Sequence, residues 1–163
     1  MEYWDAYDSK LNRLEGILLG RNGKIPAGMY HLVSDIILEH TDGTYLIMQR
    51  DPALEYGGMW EATAGGSALA GETAEECALR ELYEETGIRA DQAEEYTTGI
   101  SEEFRCIFAE FRAVTDCDKN SVRLQPSETV SFRWVTKKEL GKIRNSGLLT
   151  ERSCSYIHNL LEK

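Results

Sequence analysis

Apolar and polar positions along the chain fall into two periods, one of about two residues and one of about three and a half. His31 to Leu38 (HLVSDIIL) is rich in Val and Ile and reads as a strand. Thr41-Asp42-Gly43 is a turn, and Tyr45 to Arg50 (YLIMQR) is the returning strand of a β-hairpin. Asp51 to Met59 is a loop with Pro52 and Gly57-Gly58, and Trp60 to Ala64 is a short extended segment running into Gly65-Gly66. Thr73 to Thr86 carries the strongest helical pattern: Thr73 and Glu76 form a capping box, and Gly87 stands where a C′ glycine belongs. Gly99 to Val114 alternates around Phe104, Ile107, Phe108 and Phe111, as a long strand or a hairpin does. Glu128 to Val135 is a further strand with Val130, Phe132 and Trp134 on one face. Lys137 to Arg144 and Thr150 to Leu161 read as closing helices. Strands and helices interleave and hairpins are present, which predicts an α/β domain with a mixed sheet covered by helices. Residues 1–28, with turn-prone pieces around a short mixed stretch, form an arm or hairpin ahead of a single domain over 29–163.

Composition narrows the functional classes. A chain of 163 residues fits one domain with a sizeable core. A formal net charge of −10 argues against nucleic acid and anionic membrane surfaces as partners, because phosphate contacts need an excess of Lys and Arg. The four cysteines, Cys77, Cys106, Cys117 and Cys154, are widely spaced and form neither a zinc pattern nor a disulfide framework. They read as free thiols of a reducing compartment. The opening MEYWDAYDSK is acidic and lacks an apolar stretch, so no signal peptide is expected, and no apolar run reaches membrane-span length. A cytoplasmic protein is the expectation.

The helix carries the chemistry. Glu81, Glu84 and Glu85 span an arc of about 100° on one face. Three like charges so placed repel one another, and a divalent cation removes the conflict. Hard oxygen ligands suit Mg²⁺, with Mn²⁺ able to substitute. Mg²⁺ usually bridges one or two carboxylates to substrate phosphates, so the face predicts a small phosphorylated substrate. Leu79, Leu82 and Tyr83 lie on the opposite side, available for burial. Arg80 can pair with Glu84 or hold another carboxylate in place. Gly65-Gly66 permit positive φ and close backbone approach, and can offer a carbonyl to a metal. Glu72 either anchors that loop or reaches the outer shell of the metal. Taken alone, a glutamate-rich helix face is usually just solvated and a double glycine is usually a turn.

The pattern as a whole is far more specific. Residues 66–88 resemble the Nudix box, G-x5-E-x7-R-E-U-x-E-E-x-G-U with U aliphatic: Gly66, Glu72, Arg80, Glu81, Leu82, Glu84, Glu85, Gly87 and Ile88 match all nine fixed positions. The wider resemblance covers roughly residues 30–140. It implies an α/β/α sandwich with a mixed sheet and Mg²⁺-dependent hydrolysis of a nucleoside diphosphate linked to another moiety, by water attack on phosphorus. It implies metal ligation by Glu81, Glu84 and Glu85, with a Gly65 carbonyl completing the set. It also implies a catalytic group of Glu81, Glu84 and Arg80, in which a glutamate can act as base. Gly66, Glu72 and Gly87 are the structural positions of the motif. A further metal or water-orienting glutamate is expected from a later segment, with Glu128 the best candidate and Glu102 and Glu103 its rivals. Arg50 and Trp60, flanking the loop before the box, are the candidates for contacting phosphate and base, against solvation for Arg50 and packing for Trp60.

The flanks resemble one branch of that superfamily. Trp4-Asp5-x-Tyr7-Asp8, Gly28-x-Tyr30-His31-Leu32, Gln49-Arg50 and Trp60 are similar to the isopentenyl-diphosphate-isomerase-like branch, which holds hydrolases and isomerases. In the isomerases a cysteine and a histidine stand five and seven residues after the tryptophan. Here those positions hold Gly65 and Ser67, and the box is complete, which favours hydrolysis. His31 then reads as a structural strand residue. Markers of particular substrates are missing: Pro126 falls too late for the ADP-ribose type, Tyr96 too early for the dinucleoside-polyphosphate type, and the NADH-type tail SQPWPFP is absent. A (d)NTP-type pyrophosphatase is the first expectation, with a catalytically silent nucleotide-binding or protein-interaction module, or an isomerase, as the alternatives. Monomer and homodimer both stay open, since the arm can fold back over its own sheet or exchange with a second subunit.

Overall fold

The computed structural model describes residues 2–162. Its elements are β1 (Tyr3–Tyr7), β2 (Arg13–Gly20), β3 (His31–His40), β4 (Thr44–Arg50), β5 (Trp60–Glu61), β6 (Thr63–Ser67), α1 (Ala74–Thr86), β7 (Glu94–Ser101), β8 (Cys106–Thr115), β9 (Thr129–Thr136), α2 (Lys137–Arg144) and α3 (Glu151–Leu161). β1 and β2 form a two-stranded sheet and the other seven strands form one mixed sheet.

The apolar run in β3 makes it the centre of that sheet. It pairs parallel with β8 from His31↔Cys106 to His40↔Thr115, the long buried pairing expected of a Val/Ile-rich strand. On its other side β3 is shared. β4 meets it only near the hairpin turn, at Glu39↔Tyr45, and β6 takes over from Val33↔Ser67 to Ile37↔Thr63. β4 instead pairs along its length with β9 and, near its end, with β5. Side-chain alternation along β3 divides two cores. Leu32, Ile36 and Leu38 pack with Leu82 of α1 and with Ile107 and Phe111 of β8. Ile37 packs with Ile47, Leu140 of α2, and Tyr156 and Ile157 of α3. The result is an α/β/α sandwich on a mixed sheet.

Several sequence expectations are refined. Gly99 to Val114 is a hairpin, β7–β8, and Phe104 sits exposed in its turn instead of facing the core. Of the β9 face, Phe132 and Trp134 pack on the core, while Val130 lies beyond its rim and is exposed. On α1 the buried apolar residues are Cys77, Ala78 and Leu82. Tyr83 is exposed, with the Arg89 guanidinium 3.9 Å above its ring. The arm lies on its own domain: Tyr7 and Tyr30 exchange backbone hydrogen bonds of 2.9 and 3.0 Å, and Trp4 stacks on His31 at 4.3 Å. That stacking, with Nδ1 of His31 3.1 Å from the Arg105 carbonyl, gives the histidine a packing role, and burial holds its pKa down. No helix among the described residues is long and apolar enough to cross a membrane.

Candidate active site

α1 begins and ends where its sequence directs. Thr73 accepts from the Glu76 N–H while the Glu76 carboxylate accepts from the Thr73 N–H, closing the capping box, and Gly87 at φ 71° terminates the helix. The helix lies against β6, and the missing Cβ of each of its two glycines leaves room for a neighbour, with fixed backbone crowding only Gly65. Neither has positive φ, because β6 is extended through them. A Cβ on Gly66 would stand 2.6 Å from Cδ of Glu81, and one on Gly65 would press on Asp35 and on the Ser34 carbonyl, 2.5 Å away. Gly66→Ala is therefore expected to shift the Glu81 carboxylate, the movable end of its side chain, and to cost no more than about 1 kcal/mol, read as a small drop in denaturant midpoint.

β6 pairs only with β3, so its other edge is open. There the Gly65 N–H leaves the ladder and donates to Oε1 of Glu85 at 2.9 Å. In an antiparallel strand a residue's N–H and C=O point to the same edge, so the Gly65 carbonyl also faces out beside the helix carboxylates.

Arg80 organises the acidic face. Its Nε and Nη2 donate to the two oxygens of Glu72 at 2.6 and 2.9 Å, and Nη1 donates to Glu81 at 2.7 Å and to Glu84 at 3.2 Å. Nη2 also reaches the Ser67 carbonyl at 3.2 Å. Glu72 in turn accepts from the Leu69 N–H at 2.8 Å, a bond that ties it to the loop between β6 and α1. With its fork spent on protein acceptors, Arg80 positions the site.

The carboxylates differ in environment. Burial raises the Glu85 carboxyl to about 8, against the hydrogen bond from Gly65, with Glu81, Glu61 and Asp35 adding repulsion. Burial also raises Glu81, which Arg80 opposes. Burial pushes Glu72 upward too, but the hydrogen bonds from Arg80 and Leu69 prevail and lower it. The site thus carries more negative charge than its cations neutralise.

A cleft of about 680 Å³ opens over this face. Gly65, Gly66, Arg80, Glu81, Glu84 and Glu85 line it, and so do Arg50 and Glu128. Glu128 stands just ahead of β9, held beside Asp51 by the bond from the Asp51 N–H to its carbonyl at 2.8 Å. Glu102 is drawn away to accept from the Tyr30 hydroxyl at 2.6 Å, and neither it nor Glu103 lines the cleft. Arg50 is fixed by the Glu55 carbonyl at 2.9 Å and by Glu61 at 3.0 Å. Trp60 is the predicted site residue that the structure does not bring in. Successive residues of a strand face opposite ways, so with Glu61 in the cleft Trp60 turns to the α2–α3 core, under the Arg133 guanidinium at 4.2 Å.

Sequence reasoning missed Asp35, Glu61 and Arg152, which also line the cleft, and the arm's Glu2, Trp4 and Arg21. Asp35 had a signal, since an acid in the middle of HLVSDIIL breaks an apolar strand. Arg152 had none.

The donor set fits a divalent cation. Three carboxylates and an outward carbonyl supply hard oxygen, and the raised pKa values of Glu81 and Glu85, caused first by burial and then by neighbouring acids, mark a cost of ionisation that a cation relieves. Among the described residues no three acidic, His or Cys side chains stand ready-made as a metal cluster, and Arg80 currently spans Glu81 and Glu84.

Fold and cleft together define a Nudix-type sandwich. A NUDIX domain model matches residues 29–153. The chain is 34% identical over 149 residues to an uncharacterised Nudix hydrolase of Listeria monocytogenes, spanning 90% of this chain and 87% of the relative. It is 30% identical over 139 residues to an isopentenyl-diphosphate Δ-isomerase of Photobacterium profundum, spanning 77% of each. A crystal structure from Deinococcus radiodurans superposes with TM-score 0.73 at 18% identity, over 96% of this chain and 98% of that one. The NUDIX domain of Shewanella oneidensis NrtR, complexed with ADP ribose, gives 0.64 at 18% identity, over 82% and 87%. The chain belongs to the NUDIX domain family, and it is a hydrolase of acid anhydrides.

Proposed function

We propose that this protein is a Mg²⁺-dependent pyrophosphohydrolase that cleaves a phosphoanhydride bond in a nucleoside diphosphate linked to another moiety, with (d)NTP-type compounds the first class to test. The observation that carries this reading is the apposition of Glu81, Glu84 and Glu85 to the open edge of Gly65 in one cleft. Glu81, Glu84, Glu85 and the Gly65 carbonyl would hold the metal, with Glu128 available across the cleft. A bound Mg²⁺, for which Mn²⁺ can substitute, supplies phosphoryl polarisation and an acidified water. The chain's own residues hold that arrangement in place. Arg80 keeps Glu81 and Glu84 on one side of the cleft, and the Gly65 N–H fixes Glu85. Glu81 or Glu84 takes the proton of the attacking water. Catalysis of this kind rests on positioning and electrostatic stabilisation.

The flanking motifs and the likeness to the Photobacterium isomerase support kinship with the isomerase-like branch. The reaction is nonetheless hydrolysis in this reading, because the positions of the isomerase cysteine and histidine are Gly65 and Ser67 of β6. The four thiols are free, which supports a place in the cytoplasm. The test is a panel of nucleoside diphosphate derivatives assayed for phosphate or pyrophosphate release with Mg²⁺, with Mn²⁺ and with chelator. Release with either metal and none with chelator is expected. Tight nucleotide binding with no turnover across the panel would instead support a silent binding module.

A further inference from the structure

Two cleft cations outside the Nudix box, Arg21 and Arg152, have no role assigned so far, and Arg152 is the one anchored to the central strand. Arg152, at the start of α3, crosses to β3 and meets Asp35, the acid that interrupts the apolar strand. Nε donates to Oδ2 of Asp35 at 2.8 Å, and Nη2 donates to the same oxygen. The two partners sit very differently: the Asp35 side chain is 5% exposed and that of Arg152 is 53% exposed. A buried aspartate thus grips one edge of a guanidinium whose other edge is open. Guanidinium has five N–H donors in a rigid fork, and no acceptor among the described residues meets Nη1.

The open edge belongs to the same cleft. Asp35 and Arg152 both line it, together with Glu81, Glu84 and Glu85. The connection to the metal face is short and rigid. Asp35 pairs with Gly65 across the ladder, close enough that a Cβ on Gly65 would collide with its carboxylate. Gly65 is itself bonded to Glu85 at 2.9 Å. Arg152, Asp35, Gly65 and Glu85 form one continuous chain of contacts through β6. The other cleft cations are engaged elsewhere: Arg80 is saturated by Glu72, Glu81 and Glu84, Arg50 is bound to the Glu55 carbonyl and to Glu61, and Arg21 is paired with Glu2 within the arm. A half-exposed ion pair of this form adds little stability on its own. Its geometry suits an anionic ligand approaching from the cleft, since arginine presents paired N–H groups to phosphoryl oxygens.

We propose that Arg152, oriented by Asp35, is the substrate-binding residue that grips a phosphoryl group of the diphosphate opposite the metal-side carboxylates. This rests on the reading of the cleft as a diphosphate site and adds the residue that fixes the anion's register. The test uses imidodiphosphate, a diphosphate analogue, binding to the full chain in Mg²⁺ by calorimetry. Arg152→Gln is expected to weaken binding about 30-fold, as for the loss of a charge-assisted hydrogen-bond pair. Arg152→Lys, which keeps the charge and loses the fork, is expected to weaken it about 10-fold. If Arg152→Gln fails to fold because Asp35 is left unpaired, the double variant Asp35→Asn with Arg152→Gln removes the buried charge and carries the same expectation. Binding within 3-fold of wild type by the folded Gln variant overturns the inference, and so does a wild type that does not bind imidodiphosphate. Where the panel finds a substrate, Arg152→Gln is expected to raise KM with kcat nearly unchanged, a split that simple loosening of α3 would not give. A wild type that turns over nothing, yet loses imidodiphosphate affinity on Arg152→Gln, refutes the hydrolase reading and retains this one. Turnover with unchanged KM does the reverse.

Discussion

Glu85→Gln is expected to lower kcat by about three orders of magnitude while making the metal-free protein more stable at pH 8. The two effects share a cause. Burial and three neighbouring acids hold the Glu85 carboxyl at about 8, so near neutral pH its charge is tolerated only at a cost. Glutamine has nearly the same shape, and its carbonyl oxygen can still accept from the Gly65 N–H. If Glu85 ligates the metal as proposed, what the substitution removes is an anionic ligand, and with it several kcal/mol of metal-dependent transition-state stabilisation. The pH dependence follows by linkage. Between the ordinary glutamate value and about 8 the folded state binds more protons than the unfolded state. Stability of the chelator-treated protein therefore falls as pH rises through that window. Glu81 is raised as well and adds in the same direction. Mg²⁺ favours the ionised form, so the rise in thermal midpoint it produces should grow from pH 5 to pH 8. Melting curves with and without Mg²⁺, on wild type and Glu85→Gln, check both claims. A Gln variant that retains wild-type turnover removes Glu85 from the metal set.

Much of this site was legible because it is local. The helix from Thr73, its acidic face and its glycine stop are set by contacts within a few residues, and capping box, charge spacing and C′ glycine each leave a mark in sequence. The glycines illustrate the limit. Gly65 and Gly66 were expected to matter for positive φ and for close backbone approach, and only the second holds. What the missing Cβ atoms make room for is Asp35 and Glu81, residues 30 positions before Gly65 and 15 after Gly66, and only the packing of β6 on β3 and α1 reveals it. Trp60 and Glu61 show the same limit at one-residue resolution. Which of two adjacent strand residues enters the cleft depends on strand register, and a single step exchanges them. Arg152 was invisible for a stronger reason: its partner is 117 positions away, and a lone arginine at a helix start has no pattern to read.

Arg80→Gln is expected to be the most destabilising single change in the site, by about 3 kcal/mol in the absence of metal, with most of the loss recovered in Mg²⁺. Among the described residues Arg80 is the one cation bonded to Glu72, Glu81 and Glu84, and its side chain is only 23% exposed. Removing one partner of a largely buried ion pair leaves the others uncompensated, which costs more than the pair contributed. Here three carboxylates are left facing one another, with Glu85 close behind. Glu84 is the most exposed of them and can turn to water, so the penalty falls chiefly on Glu72 and Glu81. Because Glu72 also holds the Leu69 N–H, the loop between β6 and α1 should loosen with it. A divalent cation at the Glu81–Glu84 face would take over part of the role of Arg80. The metal-bound variant should therefore approach wild-type stability while turning over more slowly, since its carboxylates are held by the metal alone. Denaturant midpoints with chelator and with saturating Mg²⁺ measure the difference. Equal losses in both conditions would mean that Arg80 and the metal do not compensate the same charges, and the assignment of that face as the metal site would fail.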